Sequence, residues 1–302
     1  MKILIVVFSA LVFLGCSSLP RGAQEVFDTR NEAANFLRLG DGFFSQGQMD
    51  SAIQFYTEAL RANQRVDFVE GTILARSSLG RAFLRAGRMQ DAQRELNDAY
   101  FDATLLQEPA ILGVTRNNLG ELYYTMGNKP LALEFFTTAL ESQEREDNLT
   151  PILYHNLGIL AFDERQFDQA QNLFTEALRL NRRQGNATEI GANLYMLAQI
   201  ELRQQNIAAA YDLAQQALEA DQRAENSPGI GDDLELLGFL SRRMNRYPQA
   251  FNYFRRALGV ATQLDNLELT RNALGNLVEL SQLMNDDELA ARYRELLFRL
   301  PN

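Results

Sequence analysis

Apolar and polar positions follow two different patterns along this chain. Behind Met1 and Lys2, every residue from Ile3 to Leu14 is apolar except Ser9. The next stretch, SSLPRGAQEVFDTR from Ser17 to Arg30, is mostly polar with Pro and Gly, and reads as a tether. The first run spans twelve residues. At about 1.5 Å per residue it would reach roughly 18 Å as a helix, short of the ~30 Å hydrocarbon core. A short apolar core behind one positive residue reads as a secretory leader and not as a membrane span.

Beyond the tether, apolar and small residues recur with a period of about forty. The blocks RLGDGFFSQGQMDSAIQFYTEAL (from Arg38), SLGRAFLRAGRMQDAQRELNDAY (Ser78) and NLGELYYTMGNKPLALEFFTTAL (Asn118) align, as do blocks from Asn156, Met196, Leu236 and Asn276. Leucines mark the register: Leu39, Leu79, Leu119, Leu157, Leu197, Leu237 and Leu277. Glycine follows in five copies (Gly40, Gly80, Gly120, Gly158, Gly238), with Ala198 and Val278 in the other two. Thirteen residues after each leucine stands Ala52, Ala92, Ala132, Ala170, Ala210, Ala250 or Ala290. Seven further on come Ala59, Ala99, Ala139, Ala177, Ala217 and Ala257, and Leu297 breaks the series. Small residues at fixed spacing belong where two helices press together, and Tyr56, Phe136, Phe174 and Phe254 would fill the space beside them. Each helix pair leaves an apolar face that only a stacked neighbour can bury. Punctuation agrees: Pro130 and Pro248 open second helices, Thr150-Pro151 reads as an N-cap and first helical position, and Gly47, Gly87 and Gly127 occupy turns that need positive φ.

These blocks resemble the tetratricopeptide repeat, with its Leu-Gly on a first helix and its alanines and aromatic on a second. The resemblance implies an all-α, right-handed superhelical solenoid of about seven helix pairs over residues 31–302, with residues 271–302 as a cap-like copy. The period of about 40 exceeds the 34 usual in the family, so helices or turns are longer here. The family lines its concave surface with the first helix of each pair. Carried onto this sequence, that gives Ser77, Arg81, Leu84 and Arg85, then Asn117, Glu121, Tyr124 and Thr125. His155, Ile159, Phe162 and Asp163 follow, then Tyr195, Gln199, Leu202 and Arg203. The candidate partner-binding groove is Arg81, Arg85, Asn117, Glu121, Tyr124, His155, Phe162, Asp163, Tyr195, Gln199 and Arg203. Aromatics and arginine are the types enriched at binding hot spots. The Lys and Asn clamp of chaperone-binding members is absent.

Phe13-Leu14-Gly15-Cys16 resembles the lipobox of bacterial lipoproteins, although Phe13 departs from the usual leucine. Cys16 is the sole cysteine, so no disulfide can form within the chain. The resemblance implies a signal peptide at 1–15, lipidation of Cys16 and a lipidated tether at 16–30. Ser17 implies the outer membrane, with the solenoid facing the periplasm. Two or more acyl chains anchor stably where one does not.

Composition prunes the chemistry. A net charge of −10 argues against nucleic acid, whose affinity comes largely from cationic contacts to phosphate. One histidine and one cysteine exclude a His/Cys zinc cluster, and only His155 could anchor a catalytic triad or dyad. Its nearest acid by register, Asp163, lies eight residues on, ~12 Å along a helix. SPGIGDDLELLG from Ser227 reads as a turn and not a phosphate loop. The expectation is a non-enzymatic, cofactor-free, metal-free scaffold. It would touch the membrane only through its anchor, and its groove would take an envelope protein or peptide segment. The alternative is a small-ligand-binding or transport accessory lipoprotein with a pocket in the superhelix.

Overall fold

The computed structural model describes residues 21–142 and 148–301, with side chains from Val26 onward. The apolar run and Cys16 therefore lie outside the described residues. Those residues form fourteen helices and no strand. The helices pair as α1 (Arg21–Ser45) with α2 (Met49–Arg65), α3 (Val69–Arg85) with α4 (Met89–Leu106), and α5 (Pro109–Thr125) with α6 (Lys129–Glu141). Next come α7 (Thr150–Asp163) with α8 (Phe167–Gln184) and α9 (Ala187–Arg203) with α10 (Ile207–Arg223). Last are α11 (Ser227–Arg243) with α12 (Tyr247–Gln263) and α13 (Leu267–Leu283) with α14 (Asp287–Phe298).

The small residues sit where the repeat pattern requires them. The alanines from Ala52 to Ala290 and from Ala59 to Ala257 are buried in every pair. A β-carbon added at Gly120 would lie 2.4 Å from the Phe136 ring, and one at Gly40 would lie 2.5 Å from the Tyr56 ring. The first helix thus presses its bare backbone onto the face of a buried ring. In the fifth pair Ala198 replaces the glycine, and the residue facing it shrinks to Ala214, also fully buried. Volume is exchanged across the crossing, which keeps the two backbones at one distance.

Each pair then packs on the next. First helices also touch first helices (α1 with α3, α3 with α5, α7 with α9, α9 with α11, α11 with α13), which places them on the crowded inner side of the curve. Curvature carries the stack back on itself. A β-carbon at Gly47, in the α1–α2 turn, would lie 3.9 Å from Cγ of Pro228 at the start of α11.

Turns repeat as strictly as helices. Gly47, Gly87 and Gly127 have φ of 76°, 73° and 79°, as the turn reading requires. At the same register later pairs place Arg165, Gln205, Asn245 and Asn285 at φ of 59–66°, so the backbone shape persists without glycine.

Three local expectations shift. α1 begins at Arg21, so the part of the expected 16–30 tether from Arg21 on is helical, and Thr29 and Ala33 are already buried. α7 starts at Thr150 with Leu149 as its capping residue, so Thr150 is helical and buried rather than the cap. Ser227 to Gly238 is no turn but the body of α11, with Pro228 in its first turn, where the missing N–H costs nothing.

Replacing Gly120 with Leu should lower stability by at least about 2 kcal/mol, since the Phe136 ring has no room to retreat. Gly275→Ala, at a helical site with open space around it, should raise stability by about 0.5–1 kcal/mol. Thermal and urea unfolding of the two variants checks both signs.

Candidate functional site

The inner wall formed by the first helices carries a ladder of side chains that pair across successive repeats. Arg81 Nε stands 3.6 Å from Glu121, and its guanidinium lies over the Phe44 ring. Asn117 donates to Glu121 at 2.9 Å, and Asn156 donates to Asn117 at 2.9 Å. Tyr124 donates its hydroxyl to Asp163 at 2.9 Å, and Lys129 Nζ approaches the same carboxylate at 3.0 Å. His155 Nδ1 and Asn193 Oδ1 are 2.9 Å apart, with the imidazole edge-on to Phe174. Gln199 donates to the Tyr195 hydroxyl at 3.0 Å, and Arg203 lies over Phe162. In the sixth and seventh pairs Arg242 donates to Glu279 at 2.6 Å and to Asn276 at 3.2 Å.

Most residues expected in the groove therefore share this wall, but not on equal terms. Arg81, Arg85, Asp163 and Arg203 are exposed, while Glu121, Tyr124, His155, Phe162, Tyr195 and Gln199 are half-buried. Asn117 is a correction: only 4% exposed, it bridges helices and offers nothing to a ligand. Ser77 is buried as well, 2% exposed, with no partner for its hydroxyl among the described residues. His155 and Asp163 do not meet, since each has its own partner on another helix. Burial, then the hydrogen bond to Asp163 and the charge of that carboxylate, push the Tyr124 hydroxyl up to about 12, so it stays a donor.

The ladder changes character between the fifth and sixth pairs. Here the inner wall carries Asp232 and Glu235 from α11, and Glu268 stands at the start of α13. Desolvation by the wall raises both Asp232 and Glu235, and neighbouring carboxylates add to it. The Arg85 guanidinium, reaching from the second pair, opposes the rise at Asp232. Behind this surface Asp221 and Asp233 are buried together, 2% and 0% exposed. Asp221 is packed against bare backbone: β-carbons at Gly191 and Gly229 would lie 2.4 and 2.2 Å from its oxygens. Asn226 donates to it at 3.0 Å. Among the described residues no group donates to either Asp233 oxygen. Burial, then the Asp221 charge, push Asp233 up to about 9, so Asp233 keeps its proton at neutral pH. At the Asp233 register the second to fifth and seventh pairs bury Ala75, Thr115, Leu153, Asn193 and Ala273, and the first exposes Asn35, none of them ionisable.

The sequence reading missed this acidic junction. Its signal was present: Glu235 stands two residues before Leu237, the register of Asn117, His155 and Tyr195. The approach of Arg85 to Asp232 spans four repeats and had no signal in the spacing.

The sign of the pH effect follows from the raised Asp233. The native state holds a proton that the unfolded chain releases near pH 4, so this carboxyl destabilises the fold progressively from there up to about pH 9. The slope approaches 1.4 kcal/mol per pH unit before the surrounding groups are counted: Asp221, Glu189, Asp232, Glu235 and Glu268, with Arg85 opposing. Asp233→Asn should therefore raise Tm at pH 8 more than at pH 5 and flatten the profile between them. Equal shifts at both values would show that Asp233 is ionised in the folded chain.

Sequence profiles described as tetratricopeptide repeat match residues 31–100, 112–146 and 149–223. No curated protein sequence matches significantly. Among solved structures, the apo quorum sensor NprR from B. thuringiensis superposes with a TM-score of 0.65 at 12% identity, covering 93% of this chain and 77% of that one. A Rap protein in complex with Competence and Sporulation Factor gives 0.62 at 14%, covering 91% and 76%. Pseudomonas aeruginosa pilF gives 0.55 at 18%, covering 75% and 90%. At these identities the likeness is one of fold.

Proposed function

The chain belongs to the tetratricopeptide repeat family, and from that premise we propose that it is a lipid-anchored scaffold of the bacterial cell envelope. In this reading Cys16 carries the lipid, and the solenoid stands on the periplasmic side of the outer membrane. The inner wall takes an extended or helical segment of an envelope protein and so assembles or localises a complex. The family's fold is that of a protein–protein interaction scaffold, and the groove chemistry supports that role here.

The observation that carries the reading is the inner wall itself. It is a continuous polar and aromatic surface from Arg81 to Glu235, edged by arginine in the second pair and by carboxylates in the sixth. Such a surface can follow a peptide over many residues, with Tyr124, Phe162 and Tyr195 as anchors and the rungs exchanging hydrogen bonds with backbone. Among the cavities, one of about 210 Å³ lies between α6, α7 and α8, lined by Lys129, Leu133, Leu157 and Leu173. That is small for a drug-sized ligand, and a second cavity of about 420 Å³ at the α7–α8 turn is lined mostly by polar side chains (Arg165, Gln166, Asp168, Gln169, Gln204), so a peptide on the inner wall is the better occupant than a small solute.

Capture from solubilised envelope extract tests the groove. A 17–302 bait should retain a partner that a Tyr124→Ala, Arg203→Ala bait loses by about tenfold or more, with helicity unchanged by circular dichroism. Equal capture by both baits would move the site off the inner wall. The anchor has its own test: Cys16→Ser should shift the protein from the membrane to the soluble fraction, and continued membrane retention would end that part of the reading.

A further inference from the structure

One edge of the solenoid departs from the repeat pattern. At the register of Phe101 the other pairs carry Arg61, Glu141, Arg179, Glu219, Gly259 and Arg299. At that of Leu105, residues such as Arg65, Arg183, Arg223 and Gln263 stand. The second pair instead presents two apolar side chains one helical turn apart, 62% and 69% exposed. Phe27 on α1 is 66% exposed, and Val69, at the start of α3, is 47% exposed. These positions belong to one edge. The Arg30 guanidinium lies 4.0 Å from the centroid of the Phe68 ring, which ties the start of α1 to the α2–α3 turn. Leu106 at the end of α4 packs with Ile73 of α3.

We propose that this edge, with Phe27, Phe101 and Leu105, rests on the surface of a zwitterionic bilayer. The inference builds on the lipid anchor at Cys16. Chain length singles out this edge. α1 starts at Arg21, so four residues separate it from Cys16, a reach of at most about 17 Å over five Cα–Cα steps when extended. A tether of 15 residues would leave the solenoid free to turn. One this short holds the start of α1 beside the headgroups, at high effective concentration for any apolar side chain on the same edge. The α1–α2 turn, at the far end of α1, is held away. Charge indicates the lipid: Arg30, Arg61 and Arg65 stand on this edge with Asp28, Glu32, Asp67, Glu70, Asp102 and Glu108, a net acidic set that anionic lipid would repel and a zwitterionic surface tolerates. The arginine stems can lie along the apolar surface with their heads at the phosphates.

The chain has no tryptophan, so a single introduced one reports its own surroundings. The lipidated full chain carrying Leu105→Trp would be reconstituted into phosphatidylcholine vesicles, with and without brominated acyl chains. Leu283→Trp is the companion, at the last residue of α13 on the opposite edge and 52% exposed in the native chain. The expected result is blue-shifted emission and several-fold quenching at position 105, with neither at 283. A chain that floats with vesicles but is quenched no more at 105 than at 283 overturns the edge contact and leaves the anchor standing. A chain whose mass shows no lipid on Cys16 and which does not float removes the anchor and this inference with it. A blue shift at 105 without vesicles, growing with protein concentration, would assign the edge to a second copy and overturn the bilayer contact.

Discussion

Everything in this molecule depends on how closely two helices can cross. In four pairs a glycine backbone meets an aromatic ring of the second helix so tightly that a single β-carbon would collide with it. Nearby alanines leave the same absence of bulk. That spacing fixes the angle within a pair, and repeating it seven times fixes the curvature of the stack. Curvature in turn crowds the first helices together, and crowding brings their polar side chains within hydrogen-bonding distance. The inner wall is therefore a consequence of the crossing.

The wall satisfies itself over much of its length. A ladder of mutually bonded side chains can be both specific and exchangeable. Each exposed rung trades an internal bond for one to a ligand, at a net energy of about 1 kcal/mol in either direction. The junction of the fifth and sixth pairs is different in kind. There a raised Asp233 lies behind Asp232 and Glu235, whose own rise Arg85, from four repeats earlier, and Asn272 oppose. Asp221 fits here because Gly191 and Gly229 carry no side chain.

Much of the fold was legible in the spacing of residues. The key leucines, the alanine series and the buried rings at Tyr56, Phe136, Phe174 and Phe254 stand where the repeat placed them. These are local facts, since each concerns residues within one forty-residue unit. Boundaries were less legible. The polar composition of residues 21–30 suggested a tether, but packing of Thr29 and Ala33 draws them into α1. SPGIGDDLELLG carries glycines that suit a turn, yet tertiary contacts keep it helical and use those glycines for close packing. In the wall, register placed the side chains on the inner side, but did not tell that Asn117 bridges two helices while Arg203 remains open to solvent.

By itself the sequence determined the unit: two helices, a small residue at their crossing, a turn with positive φ, and the number of times these recur. Those features follow from sterics between residues close in the chain, so their spacing records them. Only the tertiary structure decided how far the stack curls, that Gly47 meets Pro228, that Arg85 faces Asp232, and that Asp221 and Asp233 are both buried, which raises Asp233. The first three rest on small rotations added over several repeats. The raised Asp233 rests on burial by neighbouring helices, which no residue type states in advance.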